Sequence, residues 1–207
     1  KQAGVSAPPA TWEELLAQAK VMKDKKIVEY PIVWSWGQYE AAICDWVILL
    51  YGNGGSLVDD KGAPAFNSPV GVKTLSWMIQ TIDDGYTNPS SASYVEEDVR
   101  NVFSQGKAAY AVNWTYMYDL VNFNDKESKV TGKIKMSLMP AFEGSGAKSS
   151  SINGSMGFSV AATSPSKDAA WKYIEFLTSE SIQNKYSAHL LPMWQTSFEG
   201  DNLTKLE

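Results

Sequence analysis

Asn113, Trp114 and Tyr116 stand close together in the chain and carry side chains suited to binding a polar ligand. The small and apolar residues that lead up to Trp114 predict a buried strand over 108–113. A sugar ring offers an apolar face to an aromatic side chain, and its hydroxyl groups can bond amides and phenols. This strand end is therefore a candidate binding site for a neutral polar ligand.

Two more segments of this kind follow or precede predicted strands. Trp34, Ser35 and Trp36 end a predicted strand over 30–34, and a Gly/Ser-rich loop at 143–155 leads into another over 157–163. Ligands of open α/β sheets bind at the carboxyl ends of strands. The position of these segments favours a pocket built from several strand ends.

Helices and strands alternate along the chain, which predicts an α/β architecture. Thr11 and Glu14 form a capping box, and Ser68 and Pro69 open another helix. Helices are predicted over 12–25, 38–51, 69–84, 95–105, 116–122, 166–177 and 179–188, and a further strand over 134–139. The apolar face of the third helix is predicted to contain Val72, Leu75, Met78, Ile79 and Ile82.

Composition excludes several classes of function. The chain has 207 residues, a net charge of −5 and no extended basic cluster, which argues against nucleic acid and anionic membranes as partners. Its single cysteine, Cys44, allows no intrachain disulfide, and its single histidine, His189, allows no histidine-rich metal site. No phosphate loop or dinucleotide fingerprint is present, so no cofactor is predicted.

The acidic residues leave an enzymatic alternative open. The runs 96–98 and 59–60 are predicted to be solvated charges, the first of them at a helix N-terminus. A carbohydrate-active enzyme would need two carboxyl groups about 5–10 Å apart across the aromatic residues.

Four segments in order resemble a known family. They are AGVSAPPATWEELLAQAKVMK, GNGGSLVDDKGAPAFNSPVGVKTLSWM, VFSQGKAAYAVNWTYMYDL and NGSMGFSVAATSPSKDAAWKYIEFLTSESIQNKYS. Together they resemble the extracellular solute-binding proteins of ABC importers, in the family of maltose-binding-protein-like sugar receptors. The resemblance covers nearly the whole chain.

The resemblance implies a fold, a location and partners. Residues 1–207 would be mainly the C-terminal lobe of a two-lobe receptor, a periplasmic-binding-protein-like type II lobe with a mixed sheet flanked by helices. The N-terminal lobe segment and the C-terminal end would lie outside the chain. Such a receptor is not an enzyme: it binds a sugar between its lobes and presents it to an ABC permease. It is periplasmic or a cell-surface lipoprotein, and an isolated lobe could self-associate.

The resemblance also implies ligand-binding residues. Trp114 matches the aromatic residue that stacks on sugar, and its neighbours Asn113 and Tyr116 flank it. The further candidates are Trp36, Gln38, Tyr39, Gly154, Ser155 and Met156. A receptor of the same fold for a phosphorylated or cationic solute remains an alternative, although Arg100 is the only arginine and lies within a predicted helix.

Overall fold

A computed structural model describes residues 2–187 and 191–199 of the chain. The chain divides into two compact units, Lys1–Ile152 and Asn153–Glu207, called unit 1 and unit 2 below. The described residues of unit 1 form helices α1 Trp12–Asp24, α2 Glu40–Gly52, α3 Pro69–Asp83, α4 Glu96–Ser104 and α5 Tyr116–Phe123, a 3₁₀ turn Pro89–Ser93, and strands β1 Ile32–Val33 and β2 Tyr110–Ala111. Those of unit 2 form α6 Lys167–Thr178, α7 Glu180–Lys185 and a 3₁₀ turn Gln195–Phe198.

The helix starts confirm the predicted N-cap residues Thr11 and Ser68. The Thr11 hydroxyl accepts a hydrogen bond from the backbone N–H of Glu14 at 3.1 Å, and the Glu14 carboxylate accepts one from the N–H of Ala10 at 2.7 Å. At α3, the Ser68 hydroxyl accepts a hydrogen bond from the N–H of Gly71 at 3.2 Å. The hydroxyls of Thr11 and Ser68 each satisfy a backbone donor that the first helical turn leaves free. The predicted bond from Glu14 back to the cap residue is instead made one residue earlier, at Ala10.

A short parallel sheet brings two distant parts of unit 1 together. Strands β1 and β2 pair in parallel, with Ile32 opposite Tyr110 and Val33 opposite Ala111. Their carboxyl ends therefore point the same way. The segments with the candidate residues, 36–39 and 113–116, leave the sheet at this common edge.

The core of unit 1 lies on both sides of β1. One cluster surrounds Trp12, whose ring centroid lies 5.7 Å from that of Trp34 and 5.4 Å from that of Trp77. Val33 points into the other cluster, which includes Val99 of α4. Side chains alternate across a strand, so this single strand joins both clusters and has a fixed position in the unit.

Several strand predictions are wrong. The predicted strands over 134–139 and 157–163 form no ladder, and the sheet of the described residues is parallel rather than mixed. A strand exists only where a neighbouring segment takes up its backbone hydrogen bonds. No such neighbour pairs with these segments within the described ranges, and Leu138 is 81% exposed.

The predicted inner face of α3 is correct for Met78 but wrong for most of its other members. Its buried residues are Gly71, Thr74, Met78 and Thr81, whereas Val72, Leu75 and Ile79 are more than half exposed. The hydroxyls of the two buried threonines are hydrogen-bonded: that of Thr74 accepts from the side chain of Asn53, just after α2, at 3.2 Å, and that of Thr81 donates to the carbonyl of Met78 at 2.8 Å. The buried face of α3 is therefore formed mainly by small and hydroxyl-bearing residues.

Throughout residues 2–187 and 191–199, none of the helices has both the length and the apolar character that crossing a bilayer requires.

Candidate functional site

Three of the predicted site residues meet at Glu96, the first residue of α4. Its carboxylate oxygen Oε2 accepts a hydrogen bond from the Tyr39 hydroxyl, and Oε1 accepts one from the indole Nε1 of Trp114 at 3.1 Å. Its backbone carbonyl accepts a hydrogen bond from Nδ2 of Asn113 at 2.9 Å. Residues that follow β1 and β2 are thereby connected through a third element.

Tyr116 is held in the same way one residue further along. Its hydroxyl donates to Oε1 of Glu97 at 2.6 Å, and Oε2 of Glu97 accepts from Nε of Arg100 at 2.7 Å. A second nitrogen of Arg100 lies 3.3 Å from the carboxylate of Glu127. The charge of Glu97 is therefore compensated by an arginine.

Burial and the neighbouring carboxylates raise the pKa values of both tyrosines. Partial burial raises the pKa of Glu96, but hydrogen bonds from the Tyr39 hydroxyl, the backbone and the Trp114 indole outweigh it and hold this pKa below its ordinary value. Burial, and then the hydrogen bond to Glu96, raise the pKa of Tyr39. Burial and Glu97 raise the pKa of Tyr116 likewise. At neutral pH the site has ionised acceptors and neutral phenol donors.

Trp36 belongs partly to the core. It stacks on the fully buried Trp34, with ring centroids 4.9 Å apart and an interplanar angle of 25°. Its backbone N–H donates to the carbonyl of Ser91 at 2.9 Å, and the N–H of Gly37 donates to the carbonyl of Tyr94 at 3.0 Å. These bonds fix the loop that carries Tyr39 against the segment before α4.

A buried carboxyl group lies next to Trp36. Asp45 of α2 is 5% exposed, and its burial, together with the charge of Glu96, raises its pKa well above the ordinary value. The Trp36 indole moderates this rise in pKa. Neither Nε1 of Trp36 nor Oδ2 of Asp45, however, has a hydrogen bond of standard geometry among the described residues. Burial therefore makes the neutral form of Asp45 more favourable than it is for an exposed aspartate.

The remaining predicted residues do not join this cluster. Gln38 is exposed beside Tyr39, and no hydrogen bond is found for its side chain among the described residues. The other three, Gly154, Ser155 and Met156, belong to unit 2, where the N–H of Ser155 donates to the side chain of Asn153 at 2.9 Å. Met156 is 95% exposed.

The prediction that residues 96–98 are solvated charge is wrong for Glu96, which is partly buried; Glu97 is exposed as predicted but is also hydrogen-bonded. Each accepts a hydrogen bond from a predicted site residue. The sequence contained one usable signal, namely acidic residues at a helix N-terminus two positions after an aromatic residue, Tyr94. A second missed residue, Asp45, was visible as the one charge inside the apolar run of α2.

The arrangement suits binding better than chemistry. Both oxygens of Glu96 and both of Glu97 already accept hydrogen bonds from neighbouring side chains. Burial raises the pKa of the Cys44 thiol, which makes it a poor nucleophile. Among the described residues no three His, Cys, Asp or Glu side chains are grouped to hold a metal ion. His189 lies outside the described residues.

A family model described as bacterial extracellular solute-binding protein matches residues 1–184. The chain belongs to this solute-binding family. A probable ABC transporter-binding protein of Deinococcus radiodurans is 32% identical over 195 residues, covering 89% of this chain and 44% of the relative. A probable amino-acid ABC transporter periplasmic-binding protein of Sinorhizobium fredii is 29% identical, covering 88% of this chain and 40% of the relative.

Solved members of the solute-binding family share the fold. Maltose-bound MalE3 of T. maritima has a TM-score of 0.83 and 30% identity, over 98% of this chain and 52% of that one. A solute-binding protein of Thermotoga lettingae bound to α-D-tagatose has a TM-score of 0.78 and 30% identity, over 89% and 46%. The predicted type II periplasmic-binding-protein fold is thereby confirmed. The chain spans about half the length of the proteins it matches.

Proposed function

We propose that this chain is part of the substrate-binding component of an ABC importer and that the receptor binds a sugar or a related polyol. Ligand would close two lobes about a hinge, and the closed form would be recognised by the permease. Such a receptor acts by binding alone and is not an enzyme. It would work in the periplasm or as a lipoprotein at the cell surface.

One observation carries the choice of ligand: a half-buried Trp114 held at the carboxyl edge of the sheet, with tyrosines and an amide around it. An aromatic ring can cover the apolar face of a sugar, a contact worth about 1 kcal/mol beyond the buried area by analogy with aromatic pairs. The phenols of Tyr39 and Tyr116 and the ionised carboxylates can bond its hydroxyl groups.

The domain organisation is part of the same proposal. Unit 1 contains the candidate cluster and would form most of the C-terminal lobe. The remaining surface of the cleft would come from parts of the receptor other than unit 1. Gly154, Ser155 and Met156 of unit 2 remain predicted ligand contacts on the strength of the family resemblance.

A cationic solute is the second candidate, because Glu96 places a carboxylate among the aromatic side chains and pairs with no lysine or arginine within the described residues. A cation can be held by such rings and by the negative charge. A phosphorylated solute is disfavoured, since Arg100 is engaged by Glu97 and Glu127.

The test is a thermal-shift screen of the complete two-lobe receptor. Bound ligand stabilises a folded protein in proportion to the logarithm of its concentration over Kd, so binding appears as a rise in Tm. The panel would contain maltose, ribitol, tagatose and mannitol, with lysine and choline as cationic probes. A rise with the sugars or polyols supports the proposal. A rise confined to the cationic probes replaces it with the second candidate, and no rise with any of them refutes both.

A further inference from the structure

Glu96 occupies an unusual position for an acidic residue on a protein surface. It is partly buried, and four hydrogen bonds connect it with Tyr39, Asn113 and Trp114. Two of these are exchanged with Tyr39, whose hydroxyl donates to the carboxylate and accepts from the backbone N–H of Glu96 at 3.2 Å. The residue therefore fixes both aromatic side chains relative to each other.

The local electrostatics keep this carboxylate charged. Glu96 is the first residue of α4, where the partial positive charge of the helix N-terminus favours an anion. Its pKa is held below the ordinary value in spite of partial burial, by the hydrogen bonds of Tyr39, its own backbone and Trp114. A negative charge is therefore present at neutral pH.

No cation offsets that charge among the described residues. The neighbouring arginine, Arg100, forms ion pairs with Glu97 and Glu127 instead. The nearby Asp45 is buried, and a carboxyl group supplies no positive charge in either protonation state. An ionised carboxylate can accept about four hydrogen bonds. Tyr39 and Trp114 use two of these positions, and the others suit hydroxyl or ammonium donors of a ligand.

We propose that Glu96 is the positioning and charge-selecting residue of the binding site: it orients Trp114 and Tyr39 and excludes anionic solutes such as uronic acids and sugar phosphates. This inference rests on the proposed function, because the selected ligand is a solute of the same cleft. The exclusion follows from Coulomb repulsion at a partly buried site, which salt screens only weakly.

The positioning role can be measured without any ligand. In a ¹⁵N-labelled receptor the indole N–H signal of Trp114 is assigned as the one that disappears in Trp114→Phe. In the wild type this signal shifts as the pH falls through the pKa of Glu96. In Glu96→Gln we expect the shift to be lost. An indole signal that titrates equally in both proteins would overturn the positioning role.

The selecting role is measured with glucose, glucosamine and glucuronate, three pyranoses of matched size and different charge. We expect the wild type to bind glucose or glucosamine at least roughly tenfold more tightly than glucuronate, and Glu96→Gln to narrow that ratio. Glu96→Asp keeps the charge but shortens the side chain, so it should retain the exclusion and lose the indole bond. Glu29→Gln, at an exposed position, is the control for the change in net charge.

The results with these probes distinguish a failure of charge selection by Glu96 from a failure of the proposed carbohydrate-binding function. If the receptor binds glucuronate as tightly as glucose, charge selection by Glu96 is wrong while the carbohydrate function stands. If none of the three probes binds and the sugar screen is also negative, the proposed function fails together with the selection. The indole signal then still decides whether Glu96 positions Trp114.

Discussion

The indole Nε1 of Trp114 donates a hydrogen bond to the carboxylate of Glu96 at 3.1 Å, across 18 positions of the sequence. This bond turns the largest side chain at the end of β2 toward the start of α4. Without it, the ring would have several staggered orientations available, and ordering it on binding would cost entropy. In the proposed sugar site, this bond would orient the Trp114 ring before ligand binds.

Replacing Trp114 tests that platform. In the complete receptor, Trp114→Ala should weaken binding of the best sugar from the screen at least roughly tenfold, because stacking and buried area are both lost. Isothermal titration calorimetry gives the Kd, and circular dichroism shows whether the fold is retained.

Trp114→Phe separates the ring from its hydrogen bond. It keeps an aromatic face but cannot donate to Glu96, so we expect a Kd between those of the wild type and the alanine variant. An unchanged Kd in Trp114→Ala would remove Trp114 from the site.

Gly37 provides a test of the loop that carries Tyr39. A Cβ atom at this position would lie 2.9 Å from the carbonyl oxygen of Tyr94 and 3.3 Å from that of Ser93. Both contacts are with backbone, which cannot rotate away, so Gly37→Ala should push the loop from α4 and weaken the hydrogen bond between Tyr39 and Glu96.

The expected result is a lower Tm and weaker sugar binding in Gly37→Ala, measured by differential scanning calorimetry and titration. Gly157→Ala is the matched control, since no atom lies within 4 Å of the Cβ it would add. Equal effects of the two substitutions would contradict the close approach of the loop.

Asp45 predicts a dependence of stability on pH. Its pKa in the folded protein is raised, above all by burial, so the folded state binds this proton more tightly than the unfolded chain, where the pKa is about 3.9. Protonated Asp45 makes its full contribution to the free energy of unfolding below the pKa of the unfolded chain. This contribution is lost as the pH rises through the pKa of the folded protein. Asp45→Asn cannot ionise and should not show this loss.

Urea unfolding of wild type and Asp45→Asn across this pH range measures the difference. The free energy of unfolding of the variant should increase relative to the wild type as the pH rises. Parallel pH profiles would mean that Asp45 ionises freely in the folded protein.

Self-association of the 207-residue chain, produced alone, is a further prediction. No residue of α6 is buried, and Trp171, Tyr173 and Phe176 each expose more than half of their side chains. Exposed apolar surface of this extent is a common cause of association. Sedimentation velocity at increasing concentration should show a rising sedimentation coefficient, and a strict monomer at high concentration would contradict the prediction.

Local signals in the sequence were enough to predict most helices and to single out the candidate binding residues that follow β2. The caps at Thr11 and Ser68 depend on residues three positions apart, and Trp114 was recognised from its place at a strand end. Family membership, too, follows from the order of segments along the chain.

Only the tertiary structure decided which residues far apart in the sequence come into contact. Glu96 and Tyr39 are 57 positions apart, and the packing of α4 against the edge of the sheet brings them into contact. The tertiary structure also decided that the segments 134–139 and 157–163 are not strands. They have the composition of strands but no pairing partner in the described ranges. Caps and helical periods are fixed within a few residues, whereas hydrogen-bond partners across the fold depend on how the elements pack.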